Sequence, residues 1–234
     1  MAYLDPDSGA ITLRVLYDGA AGAGKTTNVR VLHETLLSAR AGELLSPGST
    51  SRRTEFFDWR AFDAGYIDER RLRVQVLAVP GQWALRARRR LLLRAADAVC
   101  FVADASGRLG AQARMLASLR AARPDLVPSL VLQLNKTDLP SAVSPREACE
   151  ALGLPIDTHA ITACAHARVG VAETFSLLSR AAVANVRAAG LGALATGGSS
   201  AADAEELHQE IQALEGLSWR ADHDVEHDWS EGDA

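Results

Sequence analysis

The first groups able to do chemistry sit in the stretch DGAAGAGKTT, Asp18 to Thr27. Within it, Gly19, Ala20, Ala21, Gly22, Ala23, Gly24, Lys25 and Thr26 satisfy the pattern G-x-x-x-x-G-K-[ST], and Thr27 follows. A strand-like run, ITLRVLYDG, precedes the loop and a helical pattern follows it, which is the context the pattern needs. Side chains this small let successive backbone N–H groups converge on phosphates, and the helix that begins there adds its positive end. Lys25 would neutralise the β- and γ-phosphates, and Thr26 would give its hydroxyl to Mg²⁺. The bland alternative is a Gly/Ala-rich helix start that matches by accident. The loop alone does not choose among ATPases, kinases and GTPases.

A second cluster narrows the base. In LQLNKTDL, Asn135, Lys136, Thr137 and Asp138 follow a strand-like run. A carboxylate at Asp138 can accept from both N1–H and the 2-amino group of guanine. Adenine has neither donor at that edge and would leave the carboxylate desolvated and unpaired. Asn135 would orient the loop, and Lys136 would lay its methylenes along the base. In AITAC, the Ala163 N–H would reach the guanine O6.

These loops need a rigid support. Strand-like runs cover 11–19, 54–62, 71–79, 97–106, 129–135 and 155–163, and helical patterns cover 25–40, 83–95, 108–122, 144–152 and 169–188. DAGYIDER, between the second and third strand-like runs, reads as a turn, so that pair is expected antiparallel and the others parallel. The fold class is therefore α/β: a doubly wound sheet of about six strands with one antiparallel strand. Its ligand belongs at the carboxyl ends of the strands.

An apolar fraction of 48% over 234 residues permits a sizeable core. No run of about eighteen uncharged apolar residues suggests a membrane span. The start MAYLDPDSGA lacks the order of a secretory signal, and neither end carries a lipidation motif. Cys100, Cys149 and Cys164 are odd in number and far apart, which fits a reducing, cytoplasmic setting.

The net charge of −4 conceals a split: residues 203–234 hold eleven acidic residues and one arginine, −10, leaving +6 for the rest. Such a division marks a body with an interaction tail. The expected organisation is a domain over 1–189, a flexible small-residue linker over 190–201, an amphipathic helix over 202–218 and an acidic tail over 219–234. Leu207, Ile211, Leu214 and Leu217 form the stripe of that helix, and it would dock on its own domain or on a partner. Trp219 and Trp229 are the tail's candidate anchors.

With these motifs placed, residues 10–188 resemble the Ras-like small GTPases, and among them the bacterial MglA group. The particular marks are GKTTN (24–28), RTEFFD (53–58), VPGQ (79–82), NKTDLP (135–140) and VGVAETF (169–175). The resemblance implies a P-loop NTPase fold, GTP and GDP as ligands with Mg²⁺, and slow hydrolysis stimulated by a roadblock-fold (MglB-like) partner. It also implies effectors, control of polarity or motility, and recruitment to a cell pole or the inner membrane surface through partners. Carried over by residue, Thr54 would sense Mg²⁺ and γ-phosphate, Gly81 would lie at the phosphate, and Gln82 would position the attacking water. Arg53 would stabilise transition-state charge, a contribution typically worth about 10³–10⁵ in rate; the bland alternative is a solvated charge beside Arg52.

Two positions depart from the Ras-like pattern. Ala78 stands where most Ras-like proteins have an aspartate that supports Mg²⁺, as it is also absent in the MglA group. Asp58 would substitute through water or simply face solvent. Ala21 stands where glycine is usual, and its methyl points toward the space between γ-phosphate, glutamine and arginine. The rival readings are accordingly a GTP-binding scaffold with little or no hydrolysis and, less compatible with Asn135–Asp138, a P-loop kinase or metabolic ATPase. RARRRLLLR (86–94) would face a partner or coat a helix with Leu91 and Leu92 inward. No aromatics interleave with its arginines, which argues against nucleic acid. His159, Cys164 and His166 lie close together, but their spacing matches no established zinc pattern, so they read as loop and core residues.

Overall fold

All eight residues of ITLRVLYD are buried, as a parallel strand covered on both faces requires. They form the central strand of a mixed sheet in the computed structural model, which describes residues 2–5, 8–40, 58–67, 69–79, 86–156, 158–190 and 195–196. In chain order the elements are β1 (Tyr3–Leu4), β2 (Ile11–Asp18), α1 (Lys25–Arg40), β3 (Asp58–Ile67), β4 (Arg70–Ala78), α2 (Arg86–Ala95), β5 (Ala98–Asp104) and α3 (Leu109–Ala122). They continue with β6 (Val131–Asn135), α4 (Pro145–Leu152), β7 (Ala160–Thr162), α5 (Val171–Ala189) and β8 (Ala195–Thr196), with 3₁₀ turns at Pro124–Ser129 and Ala165–Ala167.

The main strand order is β3-β4-β2-β5-β6-β7. β3 and β4 are antiparallel, whereas β2, β4, β5, β6 and β7 are mutually parallel. This is the expected doubly wound sheet. The chain runs outward from β2 on both sides, so the loop after β2 lies at the switch point where α/β proteins form their ligand crevice.

The buried side chains divide into two layers. On one face, Val29 and Leu32 of α1 and Leu178, Ala182 and Val186 of α5 pack on Leu13, Val15 and Tyr17. On the other, Leu92 and Leu93 of α2, Leu116 and Leu119 of α3 and Leu152 of α4 pack on Leu16, Phe101 and Leu134. The inward pair on α2 is thus Leu92 and Leu93, while Leu91 is only partly buried.

Several boundaries move. β3 runs to Ile67, through the segment read as a turn, because Gly65 at φ 100 absorbs a bulge between Asp63 and Tyr66. β7 is confined to Ala160–Thr162, shorter than 155–163, since Pro155, Ile156 and His159 lie exposed ahead of it. Two additions were not legible: β1 pairs antiparallel with the start of β2, and β8, inside the expected linker, pairs parallel with β1. The stripe at 202–218 and the tail at 219–234 lie outside the described residues.

One polar core contact ties the layers near the crevice. Gln133 on β6 is fully buried; its Nε2 donates to Asn28 Oδ1 at 2.9 Å and to Thr174 Oγ1 at 2.8 Å, and its Oε1 accepts from Asn28 Nδ2 at 2.8 Å. A sheet strand is thereby joined to α1 and α5. Buried polar groups left unpaired cost about 1–3 kcal/mol each, so Gln133→Met is expected to lower stability by about 2–5 kcal/mol despite its greater hydrophobicity. Denaturant unfolding measures this; a loss near zero would mean the network is dispensable.

Candidate functional site

The loop from Gly19 to Gly24 must fold tightly between β2 and α1, and two glycines there admit neighbouring groups. Gly19 has φ 138, and a Cβ on it would meet the Val102 carbonyl oxygen at 2.2 Å. Gly24 has φ 102, and a Cβ there would meet Asn135 Nδ2 at 2.2 Å. Both backbone conformations disfavour L side chains, so glycine is required on two counts. Ala21 and Gly22 are exposed at the crest, Ala20 is half-buried and Ala23 is buried.

Lys25 opens α1 and is buried. Its Nζ donates to Gly19 O at 2.8 Å and to Ala20 O at 2.7 Å, which uses two of its three donors and leaves one for an anion. Burial lowers its pKa to about 8, opposed by the Asp18 carboxylate and reinforced by Arg89. The next residue, Thr26, is exposed, so its hydroxyl is accessible at the helix start, while Thr27 is half-buried. The first turn of α1 contains no acidic residue to oppose an approaching anion.

β6 delivers the second loop. Asn135 is buried; its Nδ2 donates to Ala23 O at 2.8 Å, and its Oδ1 accepts from the Ala165 N–H at 2.9 Å. One amide therefore spans from the phosphate-type loop to the turn after β7. Lys136 takes the left-handed conformation, φ 64, and its Nζ reaches Asp104 Oδ2 at 2.5 Å. Asp138 is exposed, and the Cys164 thiol beside it holds its carboxyl below the usual range.

Gly22, Gly24 and Thr27 thus share one cleft with Asn135, Lys136, Asp138 and Leu139, closed by Ala165 and His166. Ala163 does not take part as expected. It is fully buried, and its N–H donates to Leu134 O at 2.8 Å as part of the sheet. Its carbonyl accepts from Thr137 N and Thr137 Oγ1, so it braces the Asp138 loop from behind. Ala165 and His166 line the cleft instead, because β7 ends at Thr162 and a 3₁₀ turn follows. Arg53, Thr54, Gly81 and Gln82 lie outside the described residues.

Sequence reading also missed the ion pair beneath the loop. Asp18, the last residue of β2, has a side chain only 1% exposed, and Arg89 of α2 meets it at 2.6 Å. Arg89 Nε contacts both carboxylate oxygens at 2.9 and 3.1 Å, its Nη2 also donates to Met115 O, and its Nη1 donates to Ser118 Oγ. One arginine thus joins β2, α2 and α3. The sequence signal was a carboxylate ending a mostly apolar strand.

The residues can accordingly receive a polyanion at Lys25 and the α1 start, and a hydrogen-bond donor edge at Asp138. A family model described as the ADP-ribosylation factor family matches residues 9–182. The chain is also similar to the mutual gliding-motility protein MglA of Myxococcus xanthus (strain DK1622), at 31% identity over 196 residues, 81% of this chain and 100% of that protein.

The ion pair supplies a test. Breaking a buried pair by removing one partner typically costs about 3–5 kcal/mol, more than the pair's net worth, because a charge is left buried alone. Arg89→Ala is expected to lower stability by about that much, and Asp18→Asn in the same chain to recover a substantial part of it. A double-mutant cycle by denaturant unfolding would show purely additive effects if the pair were incidental.

Proposed function

The chain belongs to the ADP-ribosylation factor family of Ras-like small GTPases, and from that premise we propose a GTP-dependent switch that hydrolyses GTP to GDP and phosphate and is read by effectors. The observation that carries this reading is a cleft with Gly24 and Thr27, which flank Lys25 in sequence, along one side and Asp138 along another, braced by Asn135. Gly19–Thr27 would cradle the phosphates, with the remaining Lys25 donor on the β- and γ-oxygens, and Asp138 would accept from guanine. Lys136, anchored on Asp104, offers its methylene stem to the ring.

The donor set suits Mg²⁺, a hard cation that keeps several waters and takes one or two protein oxygens besides phosphate. Thr26 and Thr54 would hold it. The ion neutralises charge shared between phosphates. Asp58 is the cross-strand partner of Ala78 in the β3–β4 register, and we assign it the outer support that Ala78 cannot give. Gln82, next to Gly81, would orient the attacking water and Arg53 would meet the charge that builds on the transferred group.

By analogy with its gliding-motility relative, the switch is assigned to polarity or motility, with a roadblock-fold partner accelerating hydrolysis and effectors recruiting the protein to a pole or the inner membrane surface. No helix among the described residues is long and apolar enough to cross a membrane. The scaffold reading rests on Ala21, whose methyl stands exposed at the crest of the loop.

The deciding experiment is nucleotide binding and single-turnover hydrolysis of bound GTP, with ATP as control. Hydrolysis of GTP alone is expected; GTP retained uncut for hours, with or without a roadblock-fold protein, would favour the scaffold. Asp138→Asn is expected to weaken GTP and GDP together by at least about 30-fold, the equivalent of losing about 2 kcal/mol of charged hydrogen bonding, and unchanged affinity would overturn the base assignment.

Lys25 adds a pH dependence. Its free-state pKa of about 8 means that the ammonium is fully present below pH 7 and is lost as pH rises through 8. Phosphates favour the charged form, so GDP affinity is expected to be flat below pH 7 and to fall about tenfold by pH 9. A flat profile over that range would remove Lys25 from the phosphate site.

A further inference from the structure

We propose that Asp138, Cys164 and His166 form a binding site for a divalent cation of the zinc class, which shares its carboxylate with the guanine site. His159, closer to the usual idea of a sequence cluster, is not part of the group. Instead the fold brings Asp138 across from the β6 loop, and one ligand atom from each of the three residues lies within 4.8 Å of the others. Cys164 Sγ is 3.8 Å from His166 Nε2, which in turn is 4.0 Å from Asp138 Oδ2.

Tetrahedral zinc, with bonds of about 2.3 Å to sulfur and about 2.0–2.2 Å to nitrogen and oxygen, sets ligand edges of about 3.3–3.6 Å. The two separations at His166, 3.8 and 4.0 Å, need to close by less than about 1 Å, and the 4.8 Å limit on the set by no more than about 1.5 Å, with His166 the exposed partner. His166 has a side chain 71% exposed, and Cys164 is fixed. The Cys164 N–H donates to Val169 O, and the Val169 N–H returns the bond to Cys164 O, pinching off the turn that carries both ligands. Asp138 is held from behind by the Thr137–Ala163 contacts.

The chemistry also balances. A carboxylate, a thiolate and a neutral imidazole present two negative charges to a dication, and the thiol proton passes to solvent as the metal–sulfur bond forms. Water would complete the fourth position, as in zinc sites with three protein ligands. Sulfur and imidazole favour a borderline-soft ion over Mg²⁺, which binds oxygen. The shared use of Asp138 rests on its proposed role at the base. If both hold, metal and nucleotide exclude one another, and zinc-class ions occupy the nucleotide-free form.

Cobalt(II) is the probe, because a thiolate ligand gives it a near-ultraviolet charge-transfer band. In nucleotide-free full-length protein, the band is expected at one equivalent, to be displaced by Zn²⁺, to vanish in Cys164→Ser and to disappear as GDP saturates. Cys100 and Cys149 are buried in the core at 0% and 1% exposure, so they offer no competing source. His166→Gln changes an exposed side chain and keeps the test independent of folding. Outer-shell losses alone cost 10–100-fold in metal affinity, so removing a ligand is expected to weaken cobalt at least about tenfold.

No band in the wild type, or a band indifferent to Cys164→Ser and His166→Gln, overturns the metal site. A band that survives saturating GDP overturns the sharing of Asp138. GDP affinity of wild type and Asp138→Asn in metal-free buffer separates either failure from a failure of the base assignment.

Discussion

Three loops of this protein depend on one primary amide. Asn135 donates to the phosphate-type loop through Ala23 O and accepts from the turn after β7 through the Ala165 N–H. It can come that close only because position 24 lacks a Cβ, which would lie 2.2 Å from its nitrogen. Glycine in the first loop and asparagine in the second are therefore halves of one steric arrangement. The placing of Lys25 relative to Asp138 depends on it, and Gln133, two residues earlier on the same strand, joins the helices behind.

Charge is organised around the same point. The end of β2 places a buried carboxylate under the Gly19–Gly24 loop, which taken alone would oppose any anion approaching Lys25. Arg89 answers it with contacts to both oxygens, and Asp18 in turn limits how far burial depresses Lys25. Ionic groups from β2, α1 and α2 thus meet beneath one loop. The arginine-rich helix consequently has two uses: Arg89 is structural, whereas Arg90 and Arg94 are exposed and available to other molecules.

The parts of this arrangement legible in the sequence are those whose chemistry is contiguous. Small residues before Lys25 and the Asn135–Asp138 run must be consecutive to do their work, so spacing reveals them. The helices were legible because their apolar period is long; α4 even carries its start and stop, with a Ser144–Glu147 capping box and Gly153 in the left-handed conformation. What escaped depends on distant pairing or on short elements. Asp18 and Arg89 are 71 residues apart. That the Ala163 N–H is taken by Leu134 O, with Ala165 and His166 along the cleft, was not readable, because a three-residue strand and a single 3₁₀ turn set this register. The role of His166 beside Asp138 required the same turn.

The small β1–β8 addition has a consequence of its own. β1 pairs with Ile11 and Thr12, at the beginning of β2, whereas the cleft lies beyond its end at Asp18. Six residues of strand separate the two levels, about 20 Å. Thr196 therefore lies level with Ile11, on the rim opposite the cleft, and the β1–β8 ribbon closes the far end of the sheet like a stern board, where a change leaves the walls of the cleft in place.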